Sequence, residues 1–112
     1  MTMKWSKIGL LASVLALSGF APAAWAAGSA ADGELKARGC TGCHGIPGYF
    51  NTYPSYRVPK VGGQNIGYIV AALKAYKSGE RSHKTMRAQA SSLDEQDMLD
   101  IAAYFNSFAS KR

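Results

Sequence analysis

One short motif limits what this chain can fold into more than any other feature. Two cysteines separated by two residues are followed at once by a histidine, at Cys40, Cys43 and His44. Two thiols three positions apart lie on the same side of a helical turn, where they can form thioether bonds to the two vinyl groups along one side of a porphyrin. The imidazole that follows can then bind the iron. This is the attachment signature of a c-type haem.

Two other chemistries use the same pair of cysteines. A redox dithiol carries Cys-x-x-Cys, and a zinc site uses the pair as half of a four-ligand set. The chain has two cysteines and two histidines, so a zinc site would need His83 as well as the whole motif. A dithiol oxidoreductase usually has the pair in a strand–helix setting, and no strand pattern surrounds Cys40. Both alternatives stay open, and the haem interpretation is favoured.

The first 26 residues have the pattern of a secretory signal peptide. Lys4 and Lys7 precede an apolar run over residues 8–20, which is too short to cross a bilayer comfortably. A small-x-small cleavage pattern ends at Ala26. We therefore predict cleavage after Ala26, export, and a single mature domain over residues 27–112. An uncleaved membrane anchor is the alternative.

Helical periodicity predicts three main helices in the mature region. The first spans residues 32–39, with Asp32 as its N-cap and Leu35 as an inward contact. The second spans residues 64–77 and ends at Gly79. Apolar residues at three- and four-residue steps make its buried face, namely Ile66, Ile69, Val70, Leu73 and Tyr76.

The third helix is predicted over residues 92–109. Ser92 and Glu95 have the spacing of a capping box. Met98 lies on the apolar face of this helix, so we interpret it as a core residue and not as a metal ligand.

The segment over residues 45–63 holds four glycines and three prolines, so we predict an irregular loop. Its aromatic side chains are suited to cover a flat apolar ring; they are Tyr49, Phe50, Tyr53 and Tyr56. The backbone near Pro47 could accept the second N–H of the His44 imidazole. Arg57 and Lys60 could pair with haem propionates or face solvent.

A second irregular stretch is predicted over residues 80–91. It carries two candidates for the sixth ligand of a haem iron, Met86 and His83. Electron carriers with one histidine ligand commonly have methionine or histidine on the other face of the iron. Met86 is favoured, because a connector and a helix follow it and let it reach across the ring.

The order of these features resembles the class I cytochromes c, in particular their small bacterial monohaem group. A glycine, Gly33, lies seven residues before the first cysteine, and Pro59-Lys60-Val61-Gly62-Gly63-Gln64 opens a helix after the motif. A loop methionine follows. The chain then closes with Leu93-Asp94-Glu95-Gln96-Asp97 and Ile101-Ala102-Ala103-Tyr104-Phe105.

The resemblance implies an all-α fold, with three main helices and irregular loops wrapped around one covalent haem. It implies thioether links at Cys40 and Cys43, and His44 and Met86 as axial ligands. It also implies that the first and last helices cross where Gly33 lets Tyr104 approach closely.

The expected function is a soluble periplasmic electron carrier that is not itself an enzyme. A haem-bearing subunit of a larger periplasmic or membrane-bound dehydrogenase or oxidase complex is the alternative. An open iron that binds small gases or peroxide would follow if Met86 did not ligate.

The formal net charge is +6. Redox proteins with acidic docking patches are the expected partners; nucleic acid and stable membrane insertion after cleavage are not expected. A cluster of basic residues around Met86 could steer such partners or could be an ordinary solvated face; its members are Lys74, Lys77, Arg81, Lys84 and Arg87.

Overall fold

Helices dominate the computed structural model, which describes residues 27–45, 48–52 and 55–111 apart from the side chain of Lys111. The elements in chain order are α1 (Ala30–Lys36), α2 (Arg38–His44), β1 (Phe50–Thr52), β2 (Ser55–Arg57), α3 (Ile66–Ser78), α4 (Lys84–Ser91), α5 (Glu95–Asn106) and a 3-10 turn (Ser107–Lys111). The all-α prediction is confirmed. The predicted signal peptide, together with Pro47 and Tyr53, lies outside the described residues.

The first helix begins earlier than predicted. Ser29 is its N-cap, and the Ser29 hydroxyl accepts the backbone N–H of Asp32 at 3.2 Å. The prediction of Asp32 as the cap was therefore wrong. Leu35 is 59% exposed, so the predicted inward contact was also wrong. The buried positions here are small residues, Gly33 and Ala37, because the helix lies very close to α5.

Helices α1 and α5 cross at Gly33, as the resemblance implied. A Cβ atom at this position would lie 1.9 Å from the carbonyl oxygen of Asp100 and 2.9 Å from the Cβ of Tyr104. Since no real Cβ can come so close to another backbone, only glycine permits this crossing. The crossing brings the start of the domain onto its last helix.

Helix α3 agrees with the prediction to within about two residues. Asn65 caps its start and Gly79 ends it in the left-handed conformation, with φ of 89°. Ile69 and Leu73 are buried, whereas Ile66 is 37% exposed and was wrongly placed in the buried face. The core that α3 joins consists of Ala37, Ile69, Leu73, Ala90, Met98, Ile101, Ala102 and Phe105.

Residues 84–91 form a helix, α4, where the sequence predicted an irregular stretch. His83 is its N-cap. Ala90 is its one buried residue, and Met86, one turn earlier, packs half-buried against the core. A helix of eight residues with two such positions is too short for its period to be recognised in the sequence, so the prediction was wrong.

Helix α5 begins at Glu95 and not at Ser92. The Asp94 carboxylate accepts the backbone N–H of Asp97 at 2.7 Å, and the Asp97 carboxylate accepts the N–H of Asp94 at 3.1 Å. A capping box therefore exists, two residues beyond the predicted one. Met98 is 2% exposed, which confirms it as a core residue.

A two-stranded antiparallel hairpin lies within the segment predicted to be irregular. Strand β1 pairs with β2 so that Phe50 faces Arg57 and Asn51 faces Tyr56. Each strand has three residues, too few for an alternating pattern to be recognised. The prediction of a wholly irregular loop was wrong for this part of it.

Candidate functional site

Both cysteines of the motif lie on α2, a seven-residue helix that the buried Ala37 joins to α1. The backbone N–H of Cys40 donates to the carbonyl of Ala37 at 2.9 Å, and Cys40 packs against the core. Cys43 is three positions further along and is also half-buried. Residues three apart share one face of a helix, so both sulfur atoms belong to the same face of α2.

Burial raises the pKa of the Cys40 thiol, and the neighbouring Cys43 raises it further. A reactive dithiol needs the opposite shift, which comes from a helix N-terminus, a cation or a metal. This environment disfavours the redox-dithiol alternative.

The zinc alternative needs Cys40, Cys43, His44 and His83 around one ion. All four residues belong to the part of the chain that the structure describes. Within that part, no three histidine, cysteine, aspartate or glutamate side chains are placed to hold a metal ion together.

The His44 imidazole is held by a backbone group. Its Nδ1 lies 2.7 Å from the carbonyl oxygen of Pro59. A carbonyl can only accept, so Nδ1 carries the proton, and in the neutral ring Nε2 is left with a free lone pair. The acceptor predicted from the sequence was the backbone near Pro47, which lies outside the described residues; the bond goes to Pro59 instead. An imidazole fixed in this way is the usual form of a histidine ligand.

Met86 lies in the first turn of α4 and is half-buried against the same core as Cys40. Its backbone N–H donates to Nδ1 of His83 at 3.3 Å. The His83 ring stands between two tyrosines, with centroid distances of 4.6 Å to Tyr56 and 6.3 Å to Tyr76. Of the two candidate ligands, His83 therefore has a structural task as a helix cap, whereas the Met86 thioether has none beyond packing.

The aromatic residues of the loop differ in their surroundings. Tyr56 is half-buried, and its hydroxyl lies 3.3 Å from Oγ1 of Thr85. Phe50 is exposed. A cleft of about 360 Å³ lies beside Tyr56. Its lining residues are Tyr56, His83, Lys84 and Thr85.

Three of the five basic residues around Met86 contact other groups of the protein. Lys74 pairs with Glu95, and the Lys77 ammonium donates to the carbonyl of Leu93. The Arg81 guanidinium lies 4.8 Å from the centre of the Tyr76 ring. Arg57 and Lys60, the candidates for propionate contacts, are both exposed.

The donor set fits a c-type haem. Two thiols share one helix face, an imidazole with a free Nε2 follows them, and a half-buried thioether packs on the same core. The four proposed donors could be named from the sequence, but Pro59 and the cap made by His83 were missed. A backbone carbonyl leaves no mark in a sequence, and histidine is not among the preferred N-caps.

Among the described residues, no helix has the length and apolar character that crossing a membrane requires.

The family model described as cytochrome c matches residues 30–109. Cytochrome c4 of Pseudomonas aeruginosa is 40% identical over 98 residues, which cover 88% of this chain and 47% of the relative. Cytochrome c-554(548) of Halomonas halodenitrificans is 39% identical over 84 residues, covering 72% of this chain and 98% of the relative. The thiosulfate dehydrogenase electron acceptor of Thiomonas intermedia is 29% identical over 96 residues, which cover 86% of this chain and 41% of the relative. The chain thus spans about half the length of the cytochrome c4 relative.

Proposed function

Because this chain belongs to the cytochrome c family, with the all-α fold of its class I members, we propose that it is a periplasmic carrier of single electrons. Family membership itself gives the coarser statement, a haem-binding electron-transfer protein with covalently bound haem c. The proposal adds one haem attached to Cys40 and Cys43, with His44 and Met86 as axial ligands.

The arrangement of His44 is the observation that carries the proposal. The imidazole ends the helix that bears both thiols. The Pro59 carbonyl keeps the proton on Nδ1, so the lone pair of Nε2 is left to bind the iron. Hydrogen bonding at the second ring nitrogen also raises the basicity of a histidine ligand.

Each donor has a separate task. The haem iron supplies the chemistry, a change between the ferrous and ferric states. Cys40 and Cys43 would hold the ring, His44 and Met86 would bind the iron, and the Met86 thioether would raise the reduction potential. With both side chains bound to the iron, no position would be left for a substrate, so we propose no enzymatic activity.

The periplasmic location rests on the predicted signal peptide. The N–H of Ser29 donates to the buried Asp100 at 2.8 Å, and a Cβ at Gly28 would lie 2.2 Å from the carbonyl oxygen of Leu99. The chain is therefore packed on α5 from Gly28 onward. Cleavage after Ala26 would leave these contacts intact. The intact mass of the exported protein tests this, and the absence of tryptophan in the mature chain gives a second check, because Trp5 and Trp25 precede the cut.

The proposed partners are redox proteins with acidic docking surfaces. The exposed cations Arg57, Lys60 and Lys84 support this, because none of them is held in an ion pair among the described residues. Electron-transfer rates with such a partner should fall as ionic strength rises.

A haem-bearing module of a larger assembly is the second candidate. The observation that favours it is the match to only 47% of the cytochrome c4 relative. Sedimentation of the native protein distinguishes the two candidates by size. Co-purification with a dehydrogenase or oxidase would favour the module over the free carrier.

The experiment uses the protein exported and matured in a bacterium that attaches haem c. We expect one covalent haem by mass and a methionine-to-iron charge-transfer band in the ferric spectrum. Met86→Ala should lose that band and lower the reduction potential, whereas Met98→Leu, which changes a core methionine at nearly constant volume, should keep both. A protein that weighs no more than its amino acids, or a band that survives in Met86→Ala, would overturn the proposal.

A further inference from the structure

Strand β2 and the residues that follow it contact both segments that carry the proposed axial ligands. Pro59 accepts the hydrogen bond from Nδ1 of His44 at 2.7 Å. Tyr56, three residues earlier, contacts His83 and Thr85. One short piece of chain thus touches the surroundings of both His44 and Met86. We name residues 56–59 the bridging segment.

At the methionine end, Tyr56 makes two contacts with the first turn of α4. Its ring meets the His83 ring edge-on, with centroids 4.6 Å apart and planes at 87°. Its hydroxyl donates to Oγ1 of Thr85 at 3.3 Å. His83 accepts the backbone N–H of Met86, and Thr85 directly precedes Met86 in the chain. Tyr56 therefore contacts the residue that accepts this hydrogen bond and the residue just before its donor.

The α4 helix needs such support. It has eight residues, and isolated helices of this length are unstable in water. Its first turn has no acidic residue, and its N-cap is a histidine, which is not a preferred capping residue. Ala90 is its one buried residue. Contacts from outside the helix therefore add to the packing of Met86 in fixing its start.

The bridging segment is itself well anchored. The N–H of Val58 donates to the carbonyl of Tyr49 at 2.9 Å, which extends the pairing of the hairpin by one bond. The Val58 side chain is buried. Tyr56 sits in the middle of β2, opposite Asn51. The backbone of Tyr56 is therefore fixed by the hairpin, so its side chain contacts α4 from a well-ordered position.

We propose that Tyr56 is a positioning residue for the Met86 ligand, and that the bridging segment ties the two axial ligands of the haem together. This inference rests on the proposed function, because it takes Met86 as a ligand. It goes beyond that function by assigning a role to the hairpin and to Tyr56. The role is to keep the thioether in place against local opening of α4.

The test measures how easily Met86 is displaced in the matured ferric protein. Free imidazole is the probe, because it binds the iron only when the methionine leaves. We expect Tyr56→Leu, which removes both contacts, to raise the affinity for imidazole roughly fivefold to thirtyfold. Tyr56→Phe keeps the ring and loses the hydroxyl, so it should raise the affinity only about twofold to fivefold. Tyr104→Phe, on α5, where the ring contacts Phe105 and Phe108, is the matched control and should match the wild type.

A second comparison isolates the hydroxyl contact. Thr85→Ala should act like Tyr56→Phe, and the double variant should be no worse than either single one, because both remove the same bond. Thr85→Ser keeps the hydroxyl and should restore the wild-type affinity. Denaturant midpoints of all variants show whether the whole fold has been weakened. Tyr56→Phe, which removes only the hydroxyl oxygen, keeps the test valid even if Tyr56→Leu fails to fold.

Two results would overturn the inference. The first is an imidazole affinity in the Tyr56 variants equal to that of Tyr104→Phe. The second is additive effects of Tyr56→Phe and Thr85→Ala. Failure of the proposed function would look different, because the wild-type protein would then lack the methionine band from the start.

Discussion

The ammonium nitrogen of Lys36 lies 2.6 Å from Oδ2 of Asp100, so an ion pair joins α1 to α5 next to the crossing at Gly33. Asp100 is 3% exposed. Its other oxygen accepts the Ser29 N–H at 2.8 Å and the Gln96 amide at 2.9 Å. Both carboxylate oxygens of this buried residue are therefore hydrogen-bonded, which is the condition for keeping a charge inside a fold.

This cluster predicts a loss of stability in acid. The hydrogen bond from Lys36, followed by that from the Ser29 N–H, lowers the pKa of Asp100 from 3.8 to about 2. Because the unfolded chain takes up a proton first as pH falls, the stabilisation is complete above about pH 4 and is lost between about pH 4 and pH 2. We expect the free energy of unfolding to decline across that window in the wild type and to decline less in Asp100→Asn. Urea denaturation at several pH values measures it.

Glu34→Gln is the control for the acid prediction, because Glu34 is an exposed carboxylate on the same helix α1. The free energy of unfolding of this variant should decline with falling pH as steeply as that of the wild type. If the free energy of unfolding of Asp100→Asn declined equally steeply, the ion pair would not be a source of the acid sensitivity.

The helix crossing gives a second prediction. Gly33→Ala must push α1 away from α5, because its Cβ would lie 1.9 Å from the Asp100 carbonyl oxygen. We expect a destabilisation of roughly 1–3 kcal/mol. A value near the upper end is expected, because the clash is with backbone atoms. Thermal unfolding of the matured protein measures the change in Tm.

Gly39→Ala is the matched control for this change, in the neighbouring helix α2. A Cβ there would lie 3.6 Å from Oε1 of Gln89, an ordinary contact. Alanine is also the better helix former, so we expect roughly 0.5–1 kcal/mol of added stability. Equal effects of the two substitutions would contradict the close approach at Gly33.

The start of α5 gives a third prediction, in which sequence and structure disagree. The sequence pattern favours Ser92 as the cap, whereas the structure has Asp94 bonded to the N–H of Asp97. Asp94→Ala should lower the free energy of unfolding by about 1 kcal/mol. Ser92→Ala should have almost no effect, since Ser92 lies outside the helix. The reverse order of effects in denaturant titrations would restore the prediction made from sequence.

The parts of the fold that could be predicted from sequence are those that side chains mark. The haem motif, the glycine at the helix crossing and the long apolar face of α3 all depend on residue type at fixed spacing. Gly79 could be placed at the end of α3 for the same reason, because its φ of 89° favours glycine.

The parts that were missed depend on backbone groups or on very short elements. The acceptor for His44 is the carbonyl of Pro59, which any residue could supply. Helix α4 has a single buried position, and each strand of the hairpin has three residues, so neither shows a period. Tyr56 could be named as an aromatic residue of the loop, but its contact with His83 is set by the register of the hairpin.

The last prediction separates the two candidate ligands, Met86 and His83. His83 accepts the Met86 N–H through Nδ1, so its task in the structure is that of a cap. His83→Asn supplies an amide oxygen that can accept the same bond, and asparagine is a preferred N-cap. We expect this variant to keep the methionine-to-iron band, and His83→Ala to keep it while losing roughly 0.5–2 kcal/mol of stability. If His83 were the sixth ligand, both variants would instead change the ferric spectrum, and Met86→Ala would leave it as it is.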